Sequence, residues 1–192
     1  DKNHLTGVAG IMVNEKTGDN AINIIPGAAG TLTNDDIEKN LNFIANTDIF
    51  LTQLETPYDV TKYALKKAKE NKLTTILNPA PACQINDDDF KLIDFFTPNE
   101  TEAEFYLNKK IETEKDIKIA SEEFLKKGIK NVVITLGEKG CYFANDKENF
   151  FMNAFKLKEP VVDTTGAGDA FLSGLISKLI SRIIFEYSLL SL

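Results

Sequence analysis

The 192-residue chain is 43% apolar and 27% charged, ordinary values for a globular protein, and it is long enough for one domain with a sizeable core. Its formal net charge of −7 argues against nucleic acid or an anionic membrane as the main partner, because both bind basic surfaces. Cys83 and Cys141 have no metal-ligand spacing and His4 is the only histidine, which favours reduced thiols in a cytoplasmic protein and disfavours histidine-based catalysis.

The first part of the chain predicts a β-hairpin. Gly7–Val13 and Ala21–Ile25 are strand-like and flank a polar turn at Asn14–Asp19. We assign residues 1–28 to this hairpin as a small element of its own and residues 29–192 to the main domain.

After the hairpin, strand-like segments alternate with amphipathic helical segments, which predicts a parallel sheet with crossover helices. Thr113 and Asp116 resemble a capping box that begins a long helix, and Gly128 ends it. Tyr142–Ala144 and Asn149–Phe155 predict a closing antiparallel pair. The predicted parallel strands are short and mostly apolar, as helices on both faces would require: Ile49–Gln53, Thr74–Leu77, Asp94–Thr97 and Val132–Leu136.

The segment DTTGAGDAF, from Asp163 to Phe171, follows strand-like sequence and opens a run of helical spacing. Gly166 and Gly168 allow a tight turn whose N–H groups point into one space, and a helix N-terminus adds unpaired donors and partial positive charge. Together these features suit a phosphoryl group, and the carboxylate of Asp169 would accept the proton of an attacking hydroxyl.

Other interpretations of this segment are weaker or equally simple. A glycine turn with Asp169 as a helix N-cap fits the G-x-G-D pattern equally well. A Rossmann dinucleotide site is disfavoured because Phe171 occupies the place of the third glycine, and the P-loop motif G-x-x-x-x-G-K-[ST] is absent.

DTTGAGDAF resembles the C-terminal signature of the ribokinase (PfkB-type) family of carbohydrate kinases, and QLE-P, LNPAPA, TPNETEAE and ITLG-KG extend the resemblance over about residues 6–179. It implies a ribokinase-like three-layer α/β/α fold with a mostly parallel central sheet and part of a small β lid. It also implies ATP-dependent phosphorylation of the primary hydroxyl of D-ribose by the intact protein, with Mg²⁺ as cofactor and K⁺ as activator. The alternatives are another sugar or nucleoside kinase of this family, or a non-catalytic remnant that only binds nucleotide or a partner.

The resemblance assigns roles around the glycine turn. Asp169 would be the catalytic base and a sugar ligand. Gly166, Ala167 and Gly168 would form the anion hole, and Gly168 would also contact ATP.

Further roles follow from the same resemblance. A monovalent cation would bind the Asp163 side chain and the Thr165 carbonyl, although Asp163 is equally a residue type that caps turns. Glu55 would bind sugar hydroxyls, and an exposed loop acid is the simpler alternative.

The nucleotide and metal sites are implied at two other segments. Asn99 and Glu102 would organise Mg²⁺, mainly through water, with Asn99 also near ATP, although the pair suits a helix start as well. The T-L-G-x-x-G segment would lie along ATP, unless it is a simple hairpin connection; its residues are Thr135, Leu136, Gly137, Glu138, Lys139 and Gly140.

Two family features are missing from the sequence. The N-terminal G-G-x-x-x-N sugar motif does not occur, and residues 182–192 do not resemble the family's continuation. We therefore expect a piece of a longer protein that has little kinase activity alone. The intact protein is expected to be a homodimer formed through its lid.

Overall fold

The computed structural model describes residues 2–18, 20–159 and 161–190. The chain divides into two compact units: Asp1–Val8 with Ile25–Lys156, and Ala9–Ile24 with Leu157–Leu192. The turn half of the hairpin thus groups with the C-terminal segment. This division reflects which residues pack together. The predicted boundary between the hairpin element and the main domain, after residue 28, stays a prediction.

The predicted hairpin is confirmed. Strands β1 (Thr6–Val13) and β2 (Asn20–Gly27) pair with each other in a separate two-stranded sheet. Apolar side chains such as Val8, Met12 and Ile25 remain exposed on it.

A mostly parallel sheet flanked by helices forms the centre of the first unit, as predicted. Within the described residues its six strands are neighbours in chain order, with three parallel pairings followed by two antiparallel ones. The strands are β3 (Ile49–Thr52), β4 (Thr74–Leu77), β5 (Phe95–Phe96), β6 (Asn131–Thr135), β7 (Cys141–Asn145) and β8 (Asn149–Met152).

Several helices of this unit begin at capping boxes that the sequence supplies. The helices of the unit are α1 (Asn34–Lys39), α2 (Leu41–Ala45), α3 (Tyr58–Glu70), α4 (Glu100–Leu107) and α5 (Glu114–Lys126). The capping box before α5 is confirmed, because the Thr113 amide donates to Asp116 at 2.9 Å and the Asp116 amide donates to the Thr113 hydroxyl at 3.2 Å. Gly128 follows α5 with a φ of 102°, a left-handed conformation that glycine adopts at little cost.

Three buried phenylalanines fix α5 against the sheet. The rings of Phe96 and Phe124 lie 5.0 Å apart, and Phe90 meets Phe96 edge-on at 5.7 Å. Each is at most 2% exposed, so each contributes on the order of 1.5–3 kcal/mol of burial free energy. This core holds the strands whose loops supply the predicted ligands.

A buried carboxylate lies just before β5. Lys69 donates to both oxygens of Asp94 at 2.7 Å, Lys130 approaches at 2.8 Å, and the Thr75 amide donates at 3.0 Å. Burial by itself raises the pKa of Asp94, but these hydrogen bonds outweigh it and lower the pKa below its ordinary value. The network ties α3 to β4 and β5.

The second unit contains the hairpin turn, the loop that begins at Asp163, and helix α6 (Ala167–Leu190). A search of the described residues finds no helix both long and apolar enough to span a membrane.

Candidate active site

Several predicted ligands follow parallel strands of the first unit, so they share the carboxyl edge of its sheet. Glu55 lies in the loop after β3, and the preceding Leu54 amide donates to the Ala80 carbonyl at 2.9 Å. Asn99 follows β5 and forms a bridge with Thr135 at the end of β6. The structure therefore brings the predicted metal segment and the predicted nucleotide loop side by side.

Asn99 and Glu102 form a complete capping box at the start of α4. The Glu102 amide donates to Asn99 Oδ1 at 2.7 Å, and the Asn99 amide donates to Glu102 Oε2 at 2.8 Å. Burial raises the pKa of Glu102, and the bond from Asn99 offsets this only in part. Within the part of the chain that the structure describes, Glu102 forms no ion pair, and a partly buried carboxylate of this kind suits a metal ion or its waters.

No cluster of three or more His, Cys, Asp or Glu side chains able to hold a metal occurs among the described residues. Mg²⁺ usually keeps several waters and binds proteins through one or two carboxylates together with substrate phosphates. Glu102 fits that mode of binding, in which the protein supplies few direct ligands.

The predicted nucleotide loop turns tightly between β6 and β7. The Leu136 amide donates to the Gly140 carbonyl at 2.8 Å, and the Gly140 amide donates to Gly137 at 3.1 Å. Gly140 has a φ of 104°, and a Cβ there would lie 1.9 Å from the Met152 carbonyl, so only glycine fits. Leu136 is 5% exposed and packs in the core, which leaves its backbone as the part able to face a ligand.

The Asp163 loop of the second unit is ordered by its own polar groups. The Thr165 amide donates to Asp163 Oδ1 at 2.8 Å, and hydrogen bonds from the Thr165 side chain and amide lower the pKa of Asp163. The Ala167 amide donates to the Thr164 carbonyl at 3.1 Å across Gly166, whose φ is 77°. Asp163 thus caps a turn, and Gly166 supplies the left-handed residue.

Helix α6 begins directly after this turn. The Ala170 amide donates to the Gly166 carbonyl at 2.9 Å as the first helical bond, so Gly168 lies in the first turn, whose amides lack helical acceptors. A Cβ at Gly168 would meet no other atom within 4 Å, so nothing in the local packing demands a glycine there. Asp169 is exposed on the same first turn. Burial in the packed core would have excluded it as a catalytic base, and its exposure is consistent with that role.

One residue that contacts this loop could not be predicted from the sequence. Asn20, at the start of β2, donates to the hydroxyls of Thr164 and Thr165 at 3.2 Å each. These residues are about 144 positions apart, and no local pattern in the sequence indicates the contact.

A parallel sheet with polar loops at its carboxyl edge, together with a glycine turn that opens a helix, is typical of α/β proteins that bind phosphate compounds. The pfkB family carbohydrate kinase profile matches residues 1–189. The chain therefore belongs to the pfkB family of carbohydrate kinases.

Several similar proteins are ribokinases, and others are deoxyribokinases. The chain is 40% identical over 174 residues to ribokinase of Staphylococcus aureus, covering 91% of this chain and 56% of that one. It is 36% identical over 182 residues to ribokinase of Haemophilus influenzae, covering 95% and 58%. A structure of Arabidopsis thaliana ribokinase complexed with ribose and ATP superposes with a TM-score of 0.80 at 29% identity, covering 93% and 58%. The chain thus spans little more than half the length of the curated relatives it matches.

Proposed function

We propose that the protein containing this chain transfers the γ-phosphoryl group of ATP to the primary hydroxyl of D-ribose, giving ribose 5-phosphate. The observation that supports this most strongly is the exposed Asp169 carboxylate beside the open backbone of Gly168 at the start of α6. The ribokinases of similar sequence favour ribose over other sugars or nucleosides as the acceptor.

Asp169 accepts the proton of the attacking hydroxyl as the oxygen approaches the phosphorus. Backbone amides at the start of α6 hold the negative charge of the transferring group. The Ala167 amide is already donated to Thr164, so Gly168 is the donor to which we assign the larger share. The positive end of the α6 dipole acts in the same direction.

Mg²⁺ supplies charge neutralisation on the ATP phosphates when it is bound. Glu102 would hold the metal's water shell through the carboxylate oxygen that the capping box leaves available, while Asn99 fixes the start of α4. The loop from Thr135 to Gly140 contacts the nucleotide through its exposed residues Gly137, Glu138 and Lys139.

The remaining assignments extend the proposal. Glu55 accepts hydrogen bonds from sugar hydroxyls. The Asp163 side chain and the Thr165 carbonyl would hold K⁺. The hairpin of residues 1–28 forms half of a lid over the sugar and the contact of a homodimer. We also propose a cytoplasmic location, which the free thiols of Cys83 and Cys141 favour.

The test is sugar-dependent ADP formation by the full-length protein containing this sequence, with ribose, deoxyribose, fructose and adenosine compared as acceptors. Asp169→Asn is expected to lower turnover by at least about 10³-fold while ATP binding, measured by calorimetry, stays unchanged. Near-normal turnover in that variant would show that Asp169 is not the base. Nucleotide binding by the wild-type protein without turnover on any acceptor would favour the non-catalytic alternative.

A further inference from the structure

The turn of the hairpin lies directly on the segment that precedes the glycine turn. Gly18 is buried, whereas the described strand residues of the hairpin are exposed or half-buried. Its φ is 74°, its amide donates to the Asn14 carbonyl at 2.9 Å, and a Cβ there would lie 3.1 Å from the Val161 carbonyl. Glycine therefore permits the turn to reach the backbone of the 161–162 segment.

Asn20 links the same turn to the next two residues of the loop. Its carboxamide Nδ2 donates to Thr164 Oγ1 and to Thr165 Oγ1, each at 3.2 Å. One carboxamide has two N–H groups, so each proton serves one hydroxyl. The Thr164 hydroxyl in turn donates to the Gly18 carbonyl at 3.3 Å. Three polar contacts thus join the turn to the loop.

Both threonines also fix the backbone that leads to Asp169. The Thr164 carbonyl accepts from the Ala167 amide at 3.1 Å, which sets the first residue of α6. The Thr165 amide donates to Asp163 at 2.8 Å, and this bond closes the preceding turn. The residues held by Asn20 therefore determine where the helix, and the carboxylate on its first turn, begins.

We propose that Asn20 is a positioning residue for phosphoryl transfer, holding the Thr164–Thr165 segment so that Gly168 and Asp169 keep their places relative to the reacting groups. This inference rests on the proposed kinase function and deepens it. Asn20 acts through the two threonine hydroxyls and does not itself contact the reacting atoms.

The test compares Asn20→Ala with Asn42→Ala, a matched change of an exposed asparagine on α2, outside the hairpin and the proposed site. In the full-length protein, Asn20→Ala is expected to lower kcat about tenfold, the effect of losing two modest hydrogen bonds, with KM for ATP changed by less than about twofold. Hydrogen exchange of the Thr165 and Ala167 amides is expected to quicken. Asn42→Ala is expected to change neither quantity.

A double variant separates positioning from general stability. When Thr164 and Thr165 are both replaced by Val, Asn20→Ala is expected to cause no further loss of kcat, because its hydrogen-bond acceptors are gone. Wild-type kcat and loop exchange in Asn20→Ala would overturn the inference while leaving the proposed function intact. Absence of sugar-dependent ADP formation in the wild type would instead overturn the function, and the catalytic role of Asn20 with it.

Discussion

Two glycines of α6 allow the proposed phosphate site to be tested separately from helix stability. A Cβ added at Gly168 or at Gly174 would meet no other atom within 4 Å, so neither position opposes alanine by packing. Alanine has the higher helix propensity and restricts the unfolded chain. Each substitution should therefore stabilise the protein by about 0.5–1 kcal/mol, which raises Tm by about 1–4 °C for a protein of this size.

Activity should distinguish the two variants. The methyl group of Gly168→Ala would stand beside the amide that we assign to the transferring phosphoryl group, whereas position 174 lies nearly two helical turns further along α6. The alanine keeps the amide N–H, but its methyl group would hinder the phosphoryl group from reaching it. Loss of one preorganised donor lowers kcat by about 10²–10³-fold, so we expect a loss near the lower limit for Gly168→Ala and none for Gly174→Ala.

The assay combines thermal unfolding with steady-state ADP formation on the same preparations of full-length protein. The informative result is a Gly168→Ala variant that is at least as stable as the wild type and nearly inactive. Equal activity of the two alanine variants, with both folded, would refute the assignment of the Gly168 amide to the phosphoryl group.

Two further predictions concern stability in the first unit. Asp94→Asn removes the carboxylate that Lys69 and Lys130 share, and we expect a loss of about 2–4 kcal/mol in urea unfolding near neutral pH. The pKa of Asp94 is lowered in the folded protein, so its stabilising contribution is fully present above the ordinary carboxyl pKa and is lost as pH falls through the folded pKa. When the free energy of unfolding is measured from about pH 7 to about pH 3, it should therefore decline less in Asp94→Asn than in the wild type. Lys72 follows α3 with a φ of 64°, a left-handed conformation that glycine adopts more easily, so Lys72→Gly should stabilise the protein by about 0.5–1 kcal/mol. Asn71 has a φ of −90°, so Asn71→Gly should give no such gain. Equal unfolding midpoints for the two glycine variants would contradict the argument from backbone strain.

Much of the fold could be predicted because its signals are local. Short apolar segments become the parallel strands, and Thr113 with Asp116 forms the capping box that their spacing indicates. Positive φ angles occur at Gly128 and Gly166, where the sequence places turns. These features depend on residues within a few positions of one another, so one sequence suffices to predict them.

Strand ends were predicted less accurately because pairing partners decide them. The last strand was predicted to reach Phe155, but β8 ends at Met152 because Met152 pairs with Cys141, the first residue of β7. Leu136 was predicted to end a strand, yet it lies in the turn that precedes Gly137. The residues of β8 alone do not reveal its pairing partner, and the residues of β6 alone do not reveal where the following turn begins.

In the candidate site too, local features could be predicted from the sequence and contacts between distant residues could not. The DTTGAGDAF segment indicated its turn, helix start and exposed carboxylate, all of which are local. The contact of Asn20 with Thr164 and Thr165 joins distant parts of the chain, and the apolar pattern around Asn20 predicts only a strand. Metal, nucleotide and sugar roles stay predictions because they concern molecules other than the chain itself.

The bridge between Asn99 and Thr135 couples the start of α4 to the end of β6. The Thr135 amide donates to the Pro98 carbonyl at 2.9 Å, so the entry to α4 and the exit of β6 are joined by main-chain bonds that no side-chain substitution can remove. A displacement of one segment is therefore expected to move the other segment as well. A fluorophore on the exposed Glu138 is for this reason expected to respond to changes made at Glu102.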